Sequence, residues 1–264
     1  MPRGISPLDE ARLQRRLWTP DLLPAPFRPN LWLDAMDLST ITAGTGVSGW
    51  RDKSGRANNA AMATTANQPT YQPTGFLGGP TLRFSGASQR LQVAHAASLD
   101  STEYSFFGAV IDDGVSGSFR AWLEKSVNTG QTSRKYWIGV SNIDQFWDIS
   151  ENATVTSTGT VTKAPQVVAA VKPTTQAVGP ARFFQNGVQT ASDATFTNVT
   201  GNTSVLSIGG TFYPWNGRVA EVIFIPAAVP DYVRWLIEGY LAWRRGIRLA
   251  AAHPYRNRPP LIGD

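Results

Sequence analysis

The 264-residue chain offers few of the side chains that do covalent chemistry. It has no Cys, which excludes thiolate nucleophiles, thiolate metal sites and disulfides. Its two histidines are His95, in an Ala-rich turn, and His253, before a proline in the C-terminal tail. Both are expected at the surface, not in a Ser-His-Asp relay, which needs an oriented imidazole. No His pair has metal-ligand spacing, and no Gly-rich loop opens a helix to cradle phosphate. Glycoside hydrolysis needs two carboxyl groups roughly 5–9 Å apart. Asp144, Asp148 and Glu151 come nearest to such a set, while Asp112-Asp113-Gly114 reads as a turn. The abundant functional type is aromatic, with nine Trp, seven Tyr and twelve Phe. Exposed rings stack on sugar faces, and Tyr213, Trp215, Tyr136 and Trp122 form the candidate carbohydrate-binding set, with Trp137 and Trp147 beside them. Tyr213 and Trp215 flank Pro214 in a loop, where binding residues concentrate. The competing expectation is burial, because aromatics dominate cores, and Trp32, Trp50 and Trp235 are assigned there.

The elements that must position these residues read as β. From Leu31 to Pro230, apolar runs recur between Gly, Pro, Asn and Ser clusters, the pattern of an all-β sandwich or barrel. Strands are predicted at Leu31–Asp34, Thr81–Phe84, Leu91–Val93, Tyr104–Ile111, Ala121–Lys125 and Tyr136–Val140. Six more are predicted at Gln145–Ile149, Gln166–Lys172, Arg182–Gln185, Val188–Thr190, Val205–Ile208 and Gly217–Phe224. Asn186-Gly187 favours the positive backbone angles of a tight hairpin turn. One strong helix is predicted after Pro230: Val233, Leu236, Ile237, Tyr240 and Leu241 line one face, Arg244 and Arg245 fill the last turn, and Gly246 closes it. The chain thus divides into an arm over 1–29, a β body over 30–230, and a helix with an extended basic tail over 231–264. Within the arm, Ser6, Pro7 and Asp9 mark a helix start with Leu13 and Leu17 on one face, and Pro24, Pro26 and Pro29 stiffen the stretch up to Asn30.

The order of motifs resembles the concanavalin A-like jelly-roll superfamily, and within it the laminin-G-like domains of phage and bacterial surface proteins. The series runs Leu31-Trp32-Leu33-Asp34-Ala35, then Trp50-Arg51-Asp52-Lys53-Ser54-Gly55 with Asn58-Asn59-Ala60, then Leu82-Arg83-Phe84-Ser85-Gly86. It continues through the Phe183–Val188 hairpin, Leu206-Ser207-Ile208-Gly209-Gly210 and Trp215-Asn216-Gly217-Arg218-Val219. Ile237–Trp243 and His253-Pro254-Tyr255 look like the helix and tail found after such domains in virion proteins. The resemblance implies two packed antiparallel sheets, in a jelly roll whose concave face binds carbohydrate in many members. It also implies loop calcium, with Asp52, Asn58 and Asn59 as the matching ligands. Against that, one carboxylate makes a poor calcium site, and Asp commonly caps its own turn. Glucanase relatives resemble Glu-x-Asp-x-x-Glu on one strand. Here Asp148 and Glu151 keep the later spacing, but Phe146 stands where the nucleophile would be, and an aromatic ring cannot attack an anomeric carbon.

The formal charge of +5 sits at the ends, +2 over residues 1–30 and +3 over 231–264, around a neutral body. A nucleic-acid binder shows its basic stripe on the folded body, so nucleic acid is not expected as a partner. No apolar run approaches the 18 residues of a membrane span, and no apolar leader follows Met1. Arg outnumbers Lys 19 to 5, which suits protein interfaces. The expectation is therefore a non-enzymatic phage virion protein on the particle surface, a tail-fibre or capsid-decoration subunit. It would form a homo-oligomer, meet other virion proteins through arm and tail, and bind host-surface glycans, with no cofactor unless calcium. The alternatives are a glycan-degrading depolymerase or a free carbohydrate-binding module.

Overall fold

The computed structural model describes residues 17–115, 117–129, 134–150, 153–156, 161–175, 177–194 and 201–264, by main chain alone for 147–150 and 153–156. The first strands are β1 (Leu31–Asp34), β2 (Ile41–Ala43), β3 (Val47–Trp50), β4 (Ala60–Ala61), β5 (Thr70–Phe76) and β6 (Gly79–Ser85). Next come β7 (Leu91–Val93), β8 (Tyr104–Asp112), β9 (Arg120–Ser126), β10 (Arg134–Val140), β11 (Phe146–Ser150) and β12 (Ala153–Thr156). The last are β13 (Gln166–Lys172), β14 (Ala181–Gln185), β15 (Val188–Asp193), β16 (Leu206–Ile208) and β17 (Asn216–Ile225), followed by helix α1 (Asp231–Arg245). They form two antiparallel sheets. The eight-stranded one runs β15-β14-β13-β8-β17-β6-β5, with β1 also on β17; the nine-stranded one runs β12-β11-β10-β9-β16-β7-β4-β3-β2. This is the two-sheet sandwich that the strand pattern predicts, and all twelve predicted strands are present.

The inner faces meet in a core that includes Leu33, Trp50, Phe84, Phe106, Trp122, Tyr136, Trp215 and Phe224. The eight-stranded sheet is buried on its other face too. Val167, Ala169 and Val171 of β13, with Phe107, Ala109 and Ile111 of β8, pack in one cluster with Val233, Leu236, Ile237, Tyr240 and Leu241 of α1. Double burial explains why β8 and β13 are continuous apolar runs with no alternation: a side chain pointing either way meets apolar neighbours. Gly246 ends α1 in the left-handed conformation at φ 68°, and Asn186 and Gly187, at φ 48° and 82°, make the expected hairpin turn.

The helix is also clamped by charge. Arg245 Nη2 bonds Asp34 Oδ1 (2.8 Å) and Glu221 Oε2 (2.9 Å), and Arg244 Nη2 bonds Asp34 Oδ2 (2.7 Å). Burial, and Asp34 beside it, push the Glu221 carboxyl above the usual range.

Two expectations about the ends are corrected. The tail is not a free extended strap: Leu249 and Tyr255 join the helix-side core, and the Trp18 amide bonds the Pro260 carbonyl (3.1 Å). His253 is buried, not exposed. Its Nδ1 accepts from the Tyr255 amide (3.1 Å), and its Nε2 donates to Glu238 Oε2 (3.1 Å). The described part of the arm lies on the same body, with Trp18 and Leu23 buried against α1. The helix start predicted at Ser6, and Leu13 with it, lie outside the described residues.

Candidate functional site

Among the described residues, the helix packs on β8 and β13 of one sheet, and the outer face of the nine-stranded sheet carries no helix. At the centre of that open face, register puts Trp137 (β10) and Ser207 (β16) on either side of Glu124 (β9). A strand alternates its faces, so Tyr136 and Ile138 point into the sandwich core while Trp137 points out.

The segment after β16 folds back over this face. Gly209 and Gly210, at φ 94° and 70°, turn the chain, and the Ala121 amide bonds the Tyr213 carbonyl (2.8 Å). The amides of Thr211 and Phe212 donate to Glu124 Oε2 at 2.7 and 3.1 Å. Tyr213 thereby stands edge-on to Trp137 (ring centroids 5.9 Å, 89°) and to Phe119 (6.0 Å, 67°). The Arg134 guanidinium lies 4.9 Å from the Tyr213 ring centroid and 5.6 Å from that of Trp137. Its Nη2 donates to Tyr213 Oη (2.9 Å) and to the Thr129 carbonyl (2.9 Å).

Besides Trp122 Nε1 in the core, four buried polar atoms of β9 and β10 have no hydrogen-bond partner among the described residues: Glu124 Oε1, Ser126 Oγ, Arg134 Nε and Trp137 Nε1. A buried polar atom left unpaired costs about 1–3 kcal/mol, more when charged. The indoles of Trp50, Trp122 and Trp215 are unpaired in the core as well, so Trp137 alone is not diagnostic. A carboxylate oxygen and a guanidinium nitrogen are unpaired here as well, as others are at Glu238 and Arg218, so they mark a polar patch beneath the half-buried Tyr213 ring.

Of the four predicted sugar-binding residues, Tyr213 alone belongs to this patch. Trp122, Tyr136 and Trp215 are fully buried in the sandwich core, so they cannot stack on a surface ligand. The Trp122 ring fills the space over Gly108, where a Cβ would come within 2.8 Å of it. Tyr136 packs edge-on to Tyr104 (4.8 Å) and bonds the Ser101 carbonyl (2.9 Å). Glu124 and Arg134 are not among the residues that sequence reasoning selects. The signal for them is a pair of ionic residues at the end of an apolar run within a strand, Glu124-Lys125 after Ala121-Trp122-Leu123 and Arg134-Lys135 before Tyr136-Trp137-Ile138.

Loop calcium does not fit. Asp52 Oδ1 accepts from the amides of Trp32 (2.9 Å) and Ser54 (2.9 Å), and Oδ2 from Ser54 Oγ (2.7 Å) and the Asn58 amide (3.0 Å). Asn58 turns its Nδ2 to the Asn30 carbonyl (2.6 Å), and Asn59 Oδ1 accepts from the Asp52 amide (2.9 Å). The carboxylate ties its own loop to β1, and both its oxygens face donors where a cation needs lone pairs.

Of the carboxylates considered for hydrolysis, Asp144 is the one whose side chain is described. Asp144 is ion-paired with Arg120, which also binds Asp112 through Nε (2.6 Å). Phe146 is buried against Phe183 (5.6 Å). The Asp148 side chain and Glu151 lie outside the described residues. Lys125, buried near the β9–β10 pair, is lowered to about 8 by burial, with Asp100 opposing the shift and Lys135 adding to it.

No protein-family model and no curated protein sequence matches the chain. Solved structures do. Domain 4 of AbnA, a GH43 extracellular arabinanase from Geobacillus stearothermophilus in complex with arabinotriose, superposes with a TM-score of 0.56 at 13% identity, over 78% of this chain and 96% of that one. Trypanosoma rangeli sialidase in complex with sialic acid gives a TM-score of 0.56 at 14% identity, over 81% of this chain and 33% of the sialidase. At such identities the likeness is one of architecture: the chain is a jelly-roll β-sandwich.

Proposed function

We propose that this chain is a non-enzymatic carbohydrate-binding β-sandwich, carried on the surface of a phage particle. The observation that carries the binding reading is the built patch under Tyr213: Glu124, cross-strand from Trp137, holds the Thr211 and Phe212 amides with one carboxylate oxygen, and Arg134 bonds the Tyr213 hydroxyl. A sugar ring would stack on the half-buried Tyr213, whose place over the open face is set by the buried Glu124 and Arg134 beneath it. The neighbouring folds are consistent, since one is a domain in complex with arabinotriose and the other a sialidase in complex with sialic acid.

The virion reading rests on the ordered series of motifs. With the tail and the described arm packed on their own body, contact with other virion proteins and with further copies falls to the exposed apolar side chains Leu22, Tyr232 and Ile262, which line one groove. A glycan array probed with the purified protein, alongside Tyr213→Ala, tests the binding reading. Retention of a defined glycan by the wild type and its loss in the variant support it. Unchanged binding by the variant refutes the site, and release of reducing ends from a bound glycan refutes the non-enzymatic reading. Co-sedimentation with particles tests the location.

A further inference from the structure

A second polar site lies on the opposite side of the sandwich. The outer face of the eight-stranded sheet is apolar under α1, but at its β5-β6-β17 edge it carries charge. Arg83 (β6) and Arg218 (β17) are directly opposed cross-strand neighbours there. Like charges in that relation destabilise a sheet pair. One carboxylate stands between them: Asp113 Oδ2 is 3.5 Å from Arg83 Nε and 3.4 Å from Arg218 Nε. Neither contact is a hydrogen bond, because Asp113 Oδ2 and Arg218 Nε are both buried without a partner among the described residues. Arg83 uses Nη1 and Nη2 on the Gly217 carbonyl (3.3 Å) and Asn216 Oδ1 (2.7 Å). The Arg218 fork faces a pocket of about 420 Å³ whose other wall is Tyr71, Gln72, Pro73, Thr74 and Gly75. That wall is a bulge: β5 pairs Gln72 with Thr81 and next Phe76 with Gly79, so Pro73, Thr74 and Gly75 are looped out of the ladder. The Gln72 amide oxygen is buried against the bulge with no donor among the described residues. An amide flip would put its NH₂ there instead, as a donor to a ligand.

We propose that Arg218, with Arg83 beside it, holds an oxyanion, a carboxylate, sulfate or phosphate group, over the 73–75 bulge. Two guanidinium groups share one carboxylate that is off hydrogen-bonding geometry, so a second anion completes the charge balance. A planar fork with free donors is the group that recognises such an ion bidentately. The anion can be free or a substituent of an acidic polymer, and the test separates these sources.

Thermal midpoints are measured in sodium sulfate and in sodium phosphate against sodium chloride at equal ionic strength, for the wild type and for Arg218→Gln. Polygalacturonate is titrated in parallel against a neutral polysaccharide, with circular dichroism as the check on folding. The expected result is a midpoint raised by sulfate or phosphate over chloride by more in the wild type than in the variant, which keeps only the general salt effect, with anion affinity about tenfold weaker in the variant. Polygalacturonate binding that Arg218→Gln weakens, without an effect of the free ions, assigns the anion to a polymer. No effect of any of these anions on the wild type, or equal effects in both proteins, overturns the proposal. If Arg218→Gln does not fold, Arg83→Gln replaces it with the same readouts. Tyr213 lies on the other sheet, so the two sites fail independently.

Discussion

Alanine at Trp215 should unfold the protein more readily and alanine at Tyr213 should weaken its hold on a glycan, although the two residues share one loop. Trp215 is fully buried in the inter-sheet core and packs where a Cβ on Gly217 would come within 2.5 Å of its ring nitrogen. Replacing it with Ala empties a core site, at about 3–5 kcal/mol for a large aromatic. At about 2–4 °C per kcal/mol for a domain of this size, the midpoint should fall by roughly 6–20 °C. Tyr213 is half-buried over Trp137 and Arg134. Its loss removes one edge-on aromatic cluster and one charge-assisted hydrogen bond near solvent, about 1–2 kcal/mol after relaxation. Glycan affinity should nonetheless drop about 10- to 100-fold, the value of a lost stacking platform and its hydrogen bonds. Urea denaturation followed by tryptophan fluorescence gives the stabilities, and calorimetric titration with the array hit gives the affinities. If Trp215→Ala costs under about 1 kcal/mol, or Tyr213→Ala destabilises more than Trp215→Ala, the division between core and open face is wrong.

Neighbouring contacts set the remaining expectations. Asp52→Ala strips the partners from three backbone amides and should cost about 2–4 kcal/mol in chemical denaturation, whereas a calcium chelator should leave the wild-type midpoint unchanged. Gly108→Val drives a branched side chain into Trp122 across the core and should destabilise by at least about 1–3 kcal/mol, measured in the same way. The folded Lys125 amine titrates at about 8, below its ordinary 10.5. The unfolded chain then binds more protons between those values, so stability should rise with pH across that window, and Lys125→Met should flatten the rise. A profile that falls from pH 8 to 10 in the wild type and not in Lys125→Met would contradict that burial effect.

The legible parts of the fold are those whose side chains carry their own instructions. β8, β13 and β17 are apolar runs bounded by turn residues, and α1 repeats at helical spacing before a glycine that can take φ 68°. The strands that sequence patterning misses, β2 to β5 and β12, are short, small-residue or bulged. Thr70–Phe76 contains Pro73 and Gly75 and is a strand only because β6 pairs with it. The tail misleads because prolines at 254, 259 and 260 read as an extended strap, while Leu249, His253 and Tyr255 around the first of them are held by α1. At the site, aromatic type marks the right strands but not the right faces. Tyr136 and Trp137 are adjacent in sequence, and only the register of β10 against β9 decides which one meets the open face. Glu124 stands out only once Thr211 and Phe212 are seen to bond one of its oxygens and leave the other bare.

The most direct measurement is a nitrogen-15 NMR titration of the folded protein with a glycan that the array identifies, tracking the side-chain Arg134 Nε–H and Trp137 Nε1–H resonances. Both should shift saturably and together with the Thr211 and Phe212 amides, and none should move in Glu124→Gln beyond a small fraction of the wild-type change. Saturable shifts confined to residues of the eight-stranded sheet, with these four groups unmoved, would contradict a glycan site on the open face.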